Sequence, residues 1–171
     1  EINIEFKKLK SNGVIELLAG SANDVVVDSV LWVGVGTTTI VSGAYSERTD
    51  FNKVVIPQTV TKIQGNAFYK CENLREIVIP DGVTTMGQQV FWGCKSLEKV
   101  NLPTGITEIP LRCFQGCKSL KTIVIPDNIT TIGSHAFYSS GIESLSIPES
   151  VTTINKNALN TSSLKTIVIP E

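Results

Sequence analysis

Four cysteines and a single histidine are the side chains of this chain best suited to metal binding or nucleophilic chemistry. Cys113 and Cys117 lie four residues apart and have no second pair of matching spacing, which argues against a zinc site. Three cysteines instead recur at intervals of 23 residues, and serines continue the same position towards the C-terminus: Cys71, Cys94, Cys117, Ser140 and Ser162.

A position that accepts only cysteine or serine indicates a small, buried site inside a repeated unit. Cys113 occupies a neighbouring position that holds alanine in most units, so it is also expected inside. We therefore predict buried free thiols and no metal. A disulfide or a metal site is the alternative, because adjacent strands lie ~4.8 Å apart and bring stacked cysteines within bonding reach.

His135 would have to serve any histidine-based catalytic triad, since the chain has no other histidine. Its position in the repeat is otherwise filled by Asn66, Gln89, Arg112 and Asn157, which predicts a variable, solvated site rather than a catalytic one. The acidic residues that follow prolines are expected to finish turns rather than to bind calcium: Asp81, Asp127, Glu149 and Glu171. These patterns predict no enzyme activity and no cofactor.

The repeat itself is marked by prolines that are 22 or 23 residues apart, and by the phrase SLKTIVIP, which occurs at residues 119–126 and again at 163–170. Such a period indicates a solenoid, because one unit of this length cannot cover its own apolar face. We number the units as coils 1 to 6, of which the first is degenerate: 34–56, 57–79, 80–102, 103–125, 126–147 and 148–169.

Each coil contains an L-x-x-I-x-I segment that predicts a short parallel strand ended by proline. The A-F-x-x-C-x-x-L segment predicts a helical or 3₁₀ turn on the opposite side. Residues 1–33 are expected to form a β cap at the N-terminal end, with EINIEFKKL as a strand and SNG at 11–13 as a hairpin turn, or else to end a preceding domain. After Pro170 no polar capping segment follows, so we expect either that the natural chain continues or that this face packs on another molecule.

Composition excludes several partners. The formal net charge is −1 and the pI is near 5.9, so no overall charge favours nucleic acid. Apolar residues make up 42% of the 171-residue chain, yet no run reaches the length that would span a bilayer.

The stretch IPDGVTTMGQQVFWGCKSLEKV (79–100) fits the signature I-P-x-x-V-T-x-I-G-x-x-A-F-x-x-C-x-x-L-x-x-I at nearly every position. The sequence therefore resembles the BspA-like, treponemal-type variant of leucine-rich repeats. The resemblance implies a right-handed superhelix with a parallel β-sheet on its concave side. It also implies a bacterial cell-surface or secreted protein that adheres to host extracellular-matrix proteins or to surface proteins of other cells.

Two surface positions are candidate partner-binding sites. An outward stripe on the predicted strands is mildly apolar and includes Val78, Asn101, Val124 and Ser146. A second row follows the inward phenylalanines and contains Tyr69, Trp92 and Tyr138, which are expected to be at least partly exposed. A protein or a glycan is the expected partner. The alternatives are a structural spacer in a larger surface protein and a glycan-binding accessory module.

Overall fold

A computed structural model describes residues 24–170 of the chain. They form a solenoid of about six turns whose regular structure is entirely short β-strands: β1 (Val25–Val27), β2 (Val30–Trp32), β3 (Thr39–Ile40), β4 (Lys53–Val55), β5 (Lys62–Ile63), β6 (Glu76–Val78), β7 (Thr85–Met86), β8 (Lys99–Val100), β9 (Glu108–Ile109), β10 (Thr131–Ile132), β11 (Ser144–Ser146), β12 (Thr153–Ile154) and β13 (Thr166–Val168).

The L-x-x-I-x-I segments form parallel strands, as predicted, except at residues 120–125, which form no strand. We call the sheet of these strands the concave sheet. Its first part has the order β1-β2-β4-β6-β8, and β11 pairs with β13 as a separate second part. The register steps by one coil at a time, so that Val54 lies beside Ile77 and Leu145 beside Ile167. Side chains that alternate along a strand point to opposite faces, which buries Ile77 and exposes its neighbour Val78.

A second set of strands, which we call the side sheet, was not predicted from the sequence. It is formed by the V-T-x-I segments and has the orders β3-β5-β7 and β12-β10-β9. Each strand has only two residues, and the inward one is an isoleucine or methionine, such as Ile63 beside Met86. The sequence signal of each strand is only two residues long, which is too short to distinguish a strand from a turn by periodicity.

No α-helix or 3₁₀ helix occurs in residues 24–170. The predicted turns are isolated i→i+3 turns, such as the bond from Tyr69 N to Asn66 O at 3.0 Å, and a third hydrogen-bonded ladder joins them from coil to coil. In this turn ladder, amides bond to carbonyls of the following coil, for example Phe68 N to Val90 O at 3.0 Å and Phe91 N to Cys113 O at 3.0 Å. A helix cannot form because the residue two before each of these aromatics is left-handed, with φ of 58° at both Asn66 and Gln89.

The core is built around a column of stacked phenylalanines. Phe68, Phe91, Phe114 and Phe137 are fully buried, and their successive ring centroids are 5.7, 5.5 and 5.5 Å apart. Tyr45 extends the column at its N-terminal end, 5.2 Å from Phe68. One aromatic ring per coil therefore runs through the described solenoid as far as coil 5.

At the N-terminal end, β1 and β2 form an antiparallel hairpin whose turn residues, Asp28 and Ser29, both have positive φ. The carboxylate of Asp24 accepts hydrogen bonds from Gly34 N at 2.8 Å and from the Tyr45 hydroxyl at 2.6 Å. The EINIEFKKL strand and the SNG turn of the expected β cap lie outside the described residues.

We expect Phe114→Ala to lower the free energy of unfolding by about 3–5 kcal/mol, because the ring leaves a cavity between two neighbouring rings. Urea denaturation followed by circular dichroism measures the loss. The control is Val124→Ala in the same coil, where the side chain is 82% exposed and the expected change is below ~0.5 kcal/mol. Similar losses in the two variants would contradict the assignment of the phenylalanine column as core.

Candidate recognition surfaces

The repeated cysteines form an internal thiol ladder. The four cysteines are buried and unbonded to one another, in agreement with the free thiols predicted. Cys71, Cys94 and Cys117 each donate a hydrogen bond to a carbonyl 26 residues earlier, at 3.0, 3.0 and 3.1 Å. Each of these three thiols thus bonds to a carbonyl in the turn of the preceding coil, which is a structural role.

Burial makes these thiols poor nucleophiles. It raises the pKa of Cys71 to about 12, and it raises the pKa of Cys94, Cys113 and Cys117 as well. A thiolate is the reactive form, so a raised pKa removes reactivity at neutral pH. Within residues 24–170, no three His, Cys, Asp or Glu residues are grouped so that they could hold a metal ion.

His135 lies at a partly solvated position and makes contacts with neighbouring side chains. Its side chain is half-buried, with Nε2 at 3.2 Å from the Asn157 amide nitrogen, and its ring centroid is 5.3 Å from that of Tyr138. The whole position is left-handed, with φ of 55° to 58° at Asn66, Gln89, Arg112, His135 and Asn157. Three of these five residues are Asn or His, which tolerate positive φ better than most other residue types.

The outward stripe of the concave sheet remains uncovered along most of its length. Val78 is 59% and Val124 82% exposed, and Ser146 is exposed as well. Between these valines lies a groove of about 370 Å³ that is lined by residues of coils 2, 3 and 4, among them Val100 and Glu98. The stripe thus presents apolar side chains at the bottom of a concave surface.

Asn101 departs from the rest of the stripe, because its side chain turns back onto the preceding coil. Its amide oxygen accepts a hydrogen bond from Ile79 N at 2.7 Å, and its amide nitrogen donates to Ile79 O at 2.8 Å. These two bonds replace the backbone pairing that would otherwise continue beyond Val100. Asn101 therefore closes the end of β6 rather than presenting its amide to the groove.

The aromatic row is half-buried and divides into two clusters. Tyr69 and Trp92 make an edge-to-face contact with centroids 4.6 Å apart, and the Lys70 ammonium lies 5.1 Å from the Tyr69 centroid. Tyr138 packs with His135 two coils further on, and Gln115 separates the two clusters. Each of the three rings packs against a neighbouring side chain and is only partly exposed.

The charged residues beside the stripe form ion pairs between adjacent coils. Lys53 Nζ lies 3.1 Å from Glu76, and Glu143 is held between Lys165 at 2.7 Å and Lys121 at 3.0 Å. Hydrogen bonds from Lys165 and then Lys121 lower the pKa of Glu143. Glu98 and Lys121 occupy the same position in coils 3 and 4. Glu98 nevertheless forms no ion pair with another described residue, whereas Lys121 pairs with Glu143.

A family model for the BspA type leucine-rich repeat region matches residues 38–171 in six copies. The chain belongs to this family. The match includes the degenerate first coil, which is recognised from TTTIVSGAY (37–45) in the sequence. Within the described residues, no helix is long and apolar enough to cross a membrane.

Solved structures of bacterial leucine-rich repeat proteins have the same fold. A leucine-rich repeat protein from T. pallidum is 29% identical over 78% of this chain and 56% of its own, with a TM-score of 0.57. A leucine-rich cell surface protein from Faecalibacterium prausnitzii is 27% identical over 85% and 45%, with a TM-score of 0.59. A leucine-rich repeat protein from Bacteroides ovatus is 26% identical over 83% of this chain and 36% of its own, with a TM-score of 0.58.

The chain therefore spans between about a third and just over half of the length of these structures. No curated protein matches the sequence.

We expect the four native thiols to resist Ellman's reagent, with full reaction only in denaturant. At pH 9, an ordinary cysteine with a pKa of ~8.5 is mostly thiolate, so the contrast between native and denatured protein should persist there. Because the native pKa values are raised, the stability that they contribute is complete below about pH 8.5 and declines as the pH rises towards 12. Two or fewer thiols in denaturant, without reductant, would instead show a disulfide.

Asn101→Ala should lower the free energy of unfolding by ~1–3 kcal/mol, since Ile79 loses both of its hydrogen-bonding partners on a buried residue. Ser146→Ala, on the same stripe but exposed, is the matched control and should change stability by less than ~0.5 kcal/mol. Equal stability of both variants in chemical denaturation would show that the Asn101 amide is dispensable.

Proposed function

We propose that this chain is a non-catalytic recognition module of a bacterial cell-surface or secreted protein, and that it binds a protein partner through its concave stripe. The observation that carries the proposal is the exposure of Val78 and Val124 on either side of the groove. Apolar side chains that are held in a concave surface and rimmed by charged residues are typical of protein contact sites.

The charges around the groove favour a partner with polar and charged groups at its rim. Glu98 and Lys99 are exposed at the groove and form no ion pair with other described residues. They can therefore pair with groups of opposite sign on a partner without first breaking an internal contact. Pairs of this kind contribute chiefly to partner choice and association rate.

The relatives support a surface location, since one of them is described as a leucine-rich cell surface protein. Adhesion to a matrix protein or to another cell is the form of recognition that the family resemblance suggests. The aromatic row supports a second candidate, a glycan, because Trp92 and Tyr138 retain partly exposed rings with His135 and Gln115 nearby.

The test is binding of the chain to a panel of extracellular-matrix proteins and glycans, measured by surface plasmon resonance. Two variants separate the surfaces: Val78→Asp/Val124→Asp on the stripe and Tyr69→Ala/Trp92→Ala/Tyr138→Ala on the aromatic row. Circular dichroism verifies that both are folded. We expect saturable binding to a protein, with at least a tenfold loss of affinity in the stripe variant and little change in the aromatic variant.

The opposite pattern, with a loss in the aromatic variant and quenching of Trp92 fluorescence by an oligosaccharide, would support the glycan candidate. No saturable binding to any member of the panel would favour a structural spacer. Trp32 provides a constant fluorescence background in these titrations.

A further inference from the structure

The junction between coils 3 and 4 lacks interactions that the other junctions possess. In the side sheet, the backbone amides of Thr84 and Thr85 donate to the carbonyl of Thr61. Those of Thr130 and Thr131 donate in the same way to the carbonyl of Thr107. Within residues 24–170, no equivalent bonds join Thr107 and Glu108 to Thr84, and β7 and β9 belong to different sheets. The threonine hydroxyl ladder is interrupted at the same place, between Thr107 and Thr84.

The concave sheet is interrupted at this junction as well. Glu98 and Lys99 both donate to Arg75 O, whereas Lys121 and Thr122 make no such bond to Glu98 within the described part of the chain. Residues 120–125, which carry the first copy of the repeated phrase, form no strand, although the second copy forms β13. Between coils 4 and 5 one bond of this kind remains, from Glu143 N to Lys121 O at 2.9 Å.

Pro110 supplies a physical cause. The equivalent residues Gln64, Gly87, Gly133 and Asn155 each donate their amide to the preceding coil, at 2.8 to 2.9 Å. Proline has no amide hydrogen, so Met86 O loses its donor. The approach is also close at this position: a Cβ added to Gly87 would lie 2.3 Å from Gly65 N, and one added to Gly133 2.6 Å from Ile109 O. Gln64 and Asn155 carry a Cβ at this position and keep their amide bonds, so the feature particular to Pro110 is its ring in place of the amide hydrogen.

The turn ladder, in contrast, is intact across the junction. Gln89, Phe91 and Gly93 donate to Leu111, Cys113 and Gln115 at 2.9, 3.0 and 2.8 Å. Phe91 and Phe114 remain stacked at 5.5 Å, and the Cys117 thiol bonds to Phe91 O. One further bond crosses the junction, from Ser119 N to Lys95 O at 3.0 Å, ahead of the concave segment. Coils 3 and 4 are thus joined along the turn ladder and at this bond, and they are unpaired along the two sheets.

Solvent-accessible grooves occupy both open sides. The groove over the concave stripe is lined by residues of coils 2 to 4, and one of about 300 Å³ lies over the side sheet between residues 84–88 and 106–111. Water in these grooves can satisfy the peptide groups that the junction leaves without partners, which lowers the cost of widening it.

We propose that this junction is a hinge: coils 1–3 and coils 4–6 rotate relative to one another about the turn ladder between Phe91 and Phe114. The rotation changes the width of the concave groove between Val78 and Val124. The hinge is a property of the chain itself and is tested without a ligand, so it stands or falls separately from the proposed recognition function.

Spin labels placed two coils apart test the hinge. The residue after each proline is exposed in coils 2 to 6, as is its counterpart Val35 in coil 1, so cysteines there can be labelled while the buried native thiols stay protected. The pair Asp81→Cys/Asp127→Cys crosses the junction. Val35→Cys/Asp81→Cys and Thr104→Cys/Glu149→Cys are matched pairs on either side of it, each separated by about 10 Å of coil spacing.

Continuous-wave EPR in frozen solution gives the distance distribution of each pair. We expect the distribution across the junction to be at least twice as wide as the two matched ones. Adding Pro110→Gly, or Pro110→Gln to match Gln64, restores an amide donor and should narrow it towards the matched pairs. Equal widths in the three pairs, or a width that neither substitution changes, would overturn the hinge.

Amide hydrogen exchange provides an independent measurement. Glu108 and Thr122 should exchange at least tenfold faster than their counterparts Thr85 and Lys99, whose amides are bonded to the preceding coil at 3.3 and 3.0 Å. Pro110→Gly should slow the exchange of Glu108. Equal protection of the four amides would show that the junction is as closed as its neighbours.

Discussion

Hydrogen bonds between the peptide groups of successive coils are the interactions on which the rest of this structure depends. A coil of 22 or 23 residues has strands of two or three residues, and none of these pairs with another strand of its own coil. Its peptide groups are satisfied by the coils on either side, along the concave sheet, the side sheet and the turn ladder. The turn ladder holds the phenylalanine column and the thiol ladder in register, even where the two sheets are interrupted between coils 3 and 4.

Because each coil stacks directly on the next, inward positions hold similar residues in successive coils, whereas outward positions hold varied ones. An inward position meets the same position of the next coil, so one residue type suits the whole column, as with Phe91 on Phe114. The thiol of Cys94 meets the carbonyl of Phe68 in the same manner as Cys117 meets that of Phe91. Outward positions such as Trp92 and Gln115 have no such constraint, and a recognition surface can vary there without cost to the fold.

The parts of the fold with a long sequence period could be predicted, whereas those decided by single peptide groups could not. Five isoleucine-rich strand segments predicted the concave sheet, and the Cys-or-Ser position predicted buried free thiols. The turn ladder was mistaken for helical turns, because the spacing of Phe68 and Cys71 resembles a helix and the left-handed conformation of Asn66 is not visible in its residue type alone. The side sheet was missed because two residues carry no measurable period.

On the candidate surfaces too, features that follow the sequence period could be predicted, and those that depend on a single hydrogen bond could not. Exposure of Val78 follows from alternation along β6 and was predicted. Val124 is exposed as predicted, although its segment forms no strand. Asn101 was assigned to the same stripe, but its amide bonds to Ile79, because a side chain with both a donor and an acceptor can replace a backbone partner where a valine cannot. Such a replacement depends on where a neighbouring strand ends, which the position of Asn101 in the repeat does not reveal.

The opposing directions of the ladders have an electrostatic consequence for the solenoid as a whole. At the start of the concave strands, amides such as Glu98 N point towards the preceding coil, whereas in the turn ladder amides such as Phe91 N point towards the following one. Their peptide dipoles oppose one another instead of adding along the axis, as they do in an α-helix. Stacking further coils therefore adds less partial charge to either end than lengthening an α-helix of aligned peptide groups would.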